Sequence, residues 1–415
     1  GAGKQVSFVA SGTLSNGQAV GLKTDGTVEA ITGVAAGTGT PSVFEAASST
    51  FMSSTFDSDS NKVVIAYKDE GNSNYGTAIV GTVSGTSISF GTAVVFQSAI
   101  TDEISAVYDS TNGKVVVSYR EAASSLSGRA IVGTVSGTSI SFGTETVFES
   151  GDTTYTSAVY DSTNGKVVIA YSDGGNGQYG TAIVGTVSGT SISFGTAAVF
   201  ESADSNYISA AYDSTNNKVV IAYQDDANST FGTAVVGTVS GTSISFGTPV
   251  VFNAAGVFFV SSSFDANENK VVISYRDSGN SNYGTSIVGT VSGTSISFGT
   301  SVVFENAITN YISSTFDSNL NKVVIAYSDS GNSTFGTSVV GTVSGTSISF
   351  GAAAVFENAA SIYISATYDS TNNKVVIAYQ DSGNSGYGTG IVFTVGSSNN
   401  TSFIGITAEA ISSAA

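Results

Sequence analysis

The sequence predicts an all-β fold: a seven-bladed β-propeller of four-stranded blades, with a small terminal β-module built from both chain ends. Three observations predict it. One lysine returns every 52 residues, at Lys62, Lys114, Lys166, Lys218, Lys270, Lys322 and Lys374, without an insertion in any copy. Each lysine opens the same kind of apolar, β-branched run, such as Val63, Val64, Ile65, Ala66 and Tyr67. Within each unit, four short strand signals are separated by turn residues, and few stretches favour a helix. A long period held this strictly marks a repeat architecture rather than separate domains, and units of four strands arranged radially make propeller blades.

The copy spanning residues 207–252 shows how each element is justified. Residues 207–212 alternate large and small side chains, as an inner strand beside a crowded axis would. A polar turn follows at residues 213–217; its counterparts carry Asn112-Gly113 and Asn164-Gly165, whose residues tolerate positive φ and favour a hairpin. Residues 218–223 are apolar on both faces, which suits a strand sandwiched between layers. The third strand spans 231–239 and turns at Ser240-Gly241 into a fourth, 242–246, whose strict alternation places one face in solvent.

The ring is expected to close through the N-terminal part. Six copies carry the complete hairpin GTVSGTSISF, beginning at Gly81, Gly133, Gly185, Gly237, Gly289 and Gly341. The seventh departs from it at Phe393, while residues 39–44 (GTPSVF) match residues 247–252 (GTPVVF). The N-terminal segment therefore supplies the missing outer strand of the last blade. This divides the chain into an N-terminal β segment (1–33), the propeller (34–395) and a C-terminal β segment (396–415).

Composition narrows the function. The chain has 31 acidic and 13 basic residues, a net charge of −18, and neither Cys nor His. Such a chain repels nucleic acid and anionic lipid, so neither partner is expected. Thiol chemistry, disulfides and histidine-based acid–base catalysis are excluded. No apolar run approaches the ~20 residues that span a bilayer as a helix, so membrane insertion is not expected. The abundance of Ser, Thr, Asn and Gly points to an extracellular, cell-surface or virion-associated protein.

The two ends carry a further pattern. Residues 11–31 contain Asn16-Gly17 and Asp25-Gly26 turns and the run Asp25-Gly26-Thr27-Val28; residues 403–411 read FIGITAEAI. Together they resemble small β-modules of phage tail-fibre and virion-surface proteins, in which another strand follows, beginning near a Gly-Lys. Here a propeller lies between the first two elements, and the successor strand is found at the opposite end, after Gly3-Lys4. The resemblance implies that Lys4, Val6 and Phe8 complete a module with Phe403, Ile404 and Ile406, either within one chain or in its neighbour. An intermolecular exchange gives an open head-to-tail filament. The expected role is a structural filament subunit whose partner is itself, with a ring channel lined by Ser53, Ser209 and Ser365.

The alternative is a carbohydrate-binding, lectin-like adhesin that recognises surface glycans. An aromatic residue opens the inner strand in six copies: Phe51, Tyr155, Tyr207, Phe259, Tyr311 and Tyr363, with Glu103 as the exception. Tyr155, Tyr207, Tyr311 and Tyr363 are the candidate glycan contacts, set against the reading that they cap the core. Asn228, Asn332, Asn399 and Asn400 head N-x-S/T patterns for glycosylation. Recurrent acids, such as Asp57 and Asp69 in the first copy, fit Asx-type turns; no loop gathers enough ligands for a tight cation site, and no metal or cofactor is expected. Residues 328–335 resemble the Asp-box of sialidases, yet the chain has no Trp and only Arg120, Arg129 and Arg276, so no catalysis is expected. Two departures from the repeat, residues 120–129 and 256–260, stand out as candidate contact patches.

Overall fold

The computed structural model describes residues 9, 11–13, 19–22, 25–30, 36–123, 125–396 and 403–406. These fall into two units, one containing residues 38–393 and the other the two chain ends. In the larger unit every Lys-opened strand, from Lys62–Asp69 to Lys374–Asp381, lies second in its own antiparallel sheet, and the sheets follow one another in a closed ring. The fold is a β-propeller, with one blade per repeat.

The local physics matches the pattern. Lys62–Asp69 is buried almost throughout, whereas the outer Ser87–Phe90 strand alternates exposed and buried residues. Neighbouring blades share a core: Val64, Ala78 and Val80 of one pack with Val115, Val117 and Tyr119 of the next. One feature differs from expectation. The inner strand does not begin at its aromatic residue but is the second half of a 16-residue strand, as in Val94–Asp109. Its first half covers the near end of Tyr75–Ser84, while Ser87–Phe90 covers the far end. The outer edge of a blade is thus made of two pieces, because the chain passes from one blade to the next without a loop.

The change of blade occurs at a bulge. Pairing shifts register between Thr50 and Ser53, and the equivalent shift recurs in every copy. Just past each bulge a serine hydroxyl reaches the neighbouring blade. Ser53 Oγ accepts from Ala106 N, Ser105 Oγ from Ala158 N and Ser157 Oγ from Ala210 N, at 2.9–3.0 Å. Ser209, Ser261 and Ser313 do the same for Ser262, Ser314 and Ala366 at 2.9 Å, and Ser365 closes the circle onto Ser54 N, also at 2.9 Å. These serines, expected to line a channel, are committed to a belt of bonds between blades. Their hydroxyls satisfy backbone donors that a lone inner strand would leave open.

The seam uses the same parts as every other junction. Ser42, Val43, Glu45 and Ser48 pair with the Tyr387–Thr394 strand, and Gly39 N donates to Val392 O at 2.8 Å. Phe44 lies over Gly388, where a Cβ would come within 2.5 Å of its ring, as Phe96 lies over Gly76. Phe44 also meets Tyr67 and Phe90 edge-on, at 5.2 and 5.4 Å.

In the smaller unit, Ala19–Leu22 pairs with Val28–Ala30 and with Phe403–Ile406, so the two chain ends share one sheet. Val28 N donates to Val9 O, and Ser11 N to Val28 O, both at 2.8 Å. Lys4, Val6 and Phe8 lie outside the described residues. No helix among the described residues is long and apolar enough to cross a membrane.

Truncating Phe44 to Ala removes a buried ring from the seam. It should lower stability by about 3–5 kcal/mol in chemical denaturation, with one cooperative transition retained. An unchanged midpoint would show that the ring does not close through this residue.

Candidate functional site

The aromatic residues at the bulges converge on the ring axis. Phe51, Tyr155, Tyr207, Phe259, Tyr311 and Tyr363 all adopt positive φ, between 48° and 51°. A left-handed backbone at a bulky residue costs on the order of 1–3 kcal/mol, so the surrounding sheet imposes it. The turn directs each ring inward, while the next residue is buried at Met52, Ile208, Val260, Ile312 and Ile364 and half-buried at Thr156. Ring centroids lie 5.2 Å apart for Tyr155–Tyr207, 5.5 Å for Tyr207–Phe259 and 5.1 Å for Phe259–Tyr311. The chain continues through Tyr311–Tyr363 at 5.4 Å to Tyr363–Phe51 at 5.2 Å.

The result is a collar of half-buried rings around a cavity of about 290 Å³. The structure thus brings Tyr155, Tyr207, Tyr311 and Tyr363 together at one axial end. They are not separate platforms: each ring leans on the next, and a ligand would meet them as one surface.

Glu103 occupies the remaining place in the collar, with the same left-handed backbone (φ 53°). Its Oε2 accepts from Tyr155 N at 2.7 Å, and its carbonyl accepts from the Thr156 hydroxyl. Burial pushes the Glu103 carboxyl above its ordinary value, and the Tyr155 N–H and the Arg120 charge only partly offset this. Burial likewise pushes the Tyr155 phenol up to about 12.

Around the collar lies a rim that the sequence reading had not assembled. In each blade the residue before the collar position pairs across the strand with the residue after the buried tyrosine. The pairs are Thr50 with Lys68, Asp102 with Arg120, Thr154 with Ser172 and Asn206 with Gln224. Phe258 with Arg276, Asn310 with Ser328 and Ile362 with Gln380 complete them. The signal was present in the repeat itself. Tyr precedes and an acid follows this second residue in every copy, yet the residue itself changes from Lys to Arg, Ser or Gln.

Several rim side chains are held by partners, some across their own blade and some on the strand that leads into the next. Lys68 Nζ pairs with Asp102 at 2.8 Å; Arg120 pairs with Asp102 at 3.2 Å and with Asp152 at 3.1 Å. Gln224 Nε2 donates to Val257 O at 2.7 Å, and Gln380 Nε2 to Ser48 Oγ at 2.9 Å. Of the two irregular patches, residues 256–260 and Arg120 join this rim. Arg129 is held by Glu121 at 3.3 Å and also meets Glu145.

The recurrent acids serve the backbone. Asp57 Oδ1 accepts from Asp59 N and Ser60 N, both at 3.0 Å, and Asp69 Oδ1 from Asn72 N at 3.1 Å. Asn228 and Asn332 are exposed in the corresponding short turns, whereas Asn399 and Asn400 lie outside the described residues.

No family model and no curated sequence matches this chain. Among solved structures, it is similar to AofleA from Arthrobotrys oligospora at 10% identity and a TM-score of 0.47, over 82% of this chain and 96% of that one. It is also similar to the lectin SapL1, solved in complex with alpha methyl fucoside, at 11% identity and a TM-score of 0.45. That match covers 74% of this chain and 96% of SapL1. Likeness at this level says nothing about what this chain binds.

The half-buried Glu103 carboxyl yields a pH-dependent test. Because its pKa is raised on folding, Glu103 weakens the fold least below the ordinary value of 4.5 and progressively more as the pH rises through its folded value. Glu103→Gln should therefore melt higher than the parent at pH 7, with the gap closing toward pH 4. A gap that is equal at both pH values would show that the charge is not the cause.

Proposed function

We propose that this chain is a carbohydrate-binding β-propeller and that its site is the axial collar with its variable rim. The single observation that carries this reading is where the repeat varies. Copies that keep their core tyrosines and turn acids differ from one another at the cross-strand pair beside the collar. A ring built for stability alone needs no such diversity at one mouth of its axis. Aromatic faces suit the apolar C–H faces of sugars, and a rim of Lys, Arg, Gln, Asn and Ser offers the directional bonds that hydroxyl groups require. Binding without catalysis goes with this site, as does a place outside the cell or on a cell or virion surface.

Replacing Tyr207 and Tyr311 together by Ala opens the collar on one side. Binding to a glycan array should fall by at least about tenfold, the range expected when aromatic contacts at the centre of an interface are removed. Undiminished binding by a folded double variant would remove the collar from the site.

Assembly is the second reading. Among the described residues Phe403–Ile406 pairs only with Ala19–Leu22, leaving its other edge for a further strand. A head-to-tail filament, of the kind that virion-surface modules suggest, would place residues 4–8 of a neighbouring chain there. Against this, Val9 and Ser11 bracket Val28 of their own chain. Docking within one chain is therefore the simpler account, and sedimentation of the full chain should give a monomer. Filaments that vanish on deletion of residues 1–10 would reverse that choice.

A further inference from the structure

The rim treats two arginines in opposite ways. Arg120 and Arg276 occupy the same position three repeats apart. Arg120 is neutralised by Asp102 and Asp152. The residues at the corresponding places around Arg276 are Phe258 and Ile308, and Ile308 is 46% exposed. The guanidinium of Arg276 lies over the Phe258 ring, 4.4 Å from its centroid, and 5.0 Å from that of Phe259. One Nη1 bond to Asn310 Oδ1, at 2.5 Å, holds it in place. Asn310 is in turn held by its Nδ2, which donates to Ser330 Oγ at 3.3 Å. Among the described residues no acceptor meets Nη2, and Nε is buried without a partner. Among the described residues no acid pairs with this cation.

We propose that Arg276 is an oxyanion anchor by which the axial mouth selects acidic saccharides, sugars that bear a carboxylate or a sulfate. The proposal rests on the carbohydrate-binding reading and names its substrate class. A planar guanidinium fixed over aromatic rings presents a pre-oriented donor fork, which matches the paired oxygens of such a group. Phe259 belongs to the collar, so a sugar ring on the collar brings its acidic substituent to the arginine. The exposed Ile308 replaces an acid that would otherwise repel it. With a net charge of −18 the chain as a whole disfavours anions, so the selection is short-range and set by this one cation.

Titration calorimetry with three matched probes tests this: an oligogalacturonate, the neutral galactan of equal length and its sulfated form. The parent should bind at least one acidic probe about tenfold or more tightly than the neutral one. The two acidic arms show which oxyanion is preferred. Arg276→Gln, checked by its melting temperature, should erase that margin, lowering the affinity for the acidic probe by a larger factor than that for the neutral one; Arg276→Lys should keep part of it. Equal affinity for all three probes, or a margin that survives in Arg276→Gln, would overturn the anchor and leave the carbohydrate reading intact. Failure of all three probes to bind would overturn both.

Discussion

The belt of serine hydroxyls is the interaction on which the rest of this structure depends. Each blade begins its inner strand at a bulge, and just past the bulge a backbone N–H faces a neighbouring blade. The serine of the preceding blade takes it, from Ser53 onto Ala106 N around to Ser365 onto Ser54 N. A single bond of this kind contributes only about 1 kcal/mol net, but leaving its donor buried and unpaired costs more. The bonds therefore act less as glue than as a constraint on register. They set the distance between neighbouring inner strands, and that distance brings the collar rings to between 5.1 and 5.5 Å of each other.

Much of this was legible in the sequence because a repeat shows its own structural requirements. The period, the doubly buried Lys-opened strand, the alternating outer strand and the closing role of residues 39–44 all follow from patterns of apolar side chains. The continuous 16-residue strand was not legible. Phe51 and its counterparts look like the start of a strand, when they are a left-handed turn within one, and no propensity rule places an aromatic residue at positive φ. The belt was missed for a similar reason: a serine in a strand gives no sign of which neighbour its hydroxyl will reach.

The candidate site shows the same division. The collar tyrosines were visible as a series, and their convergence needed only the ring. The rim needed coordinates, because Asp102 and Arg120 lie 18 residues apart and become partners only through strand pairing. Comparison of the copies at the position after the buried tyrosine would have flagged the second member of each pair. A repeat protein separates its duties in this way: the invariant residues build the ring, and the positions that escape the repeat are free to meet a ligand. Glu103 illustrates the cost of such freedom, since a carboxyl in an aromatic slot is held against its own charge.

The central claim is that the belt joins the blades into one cooperative ring without a weaker seam. Hydrogen exchange followed by NMR at the amides of Ser54, Ala106, Ala158, Ala210, Ser262, Ser314 and Ala366 tests it directly. The account predicts that all of them exchange only through global unfolding, with a single opening free energy that includes Ser54 at the seam. Amides that open blade by blade, or a Ser54 amide that exchanges well before the others, would contradict it.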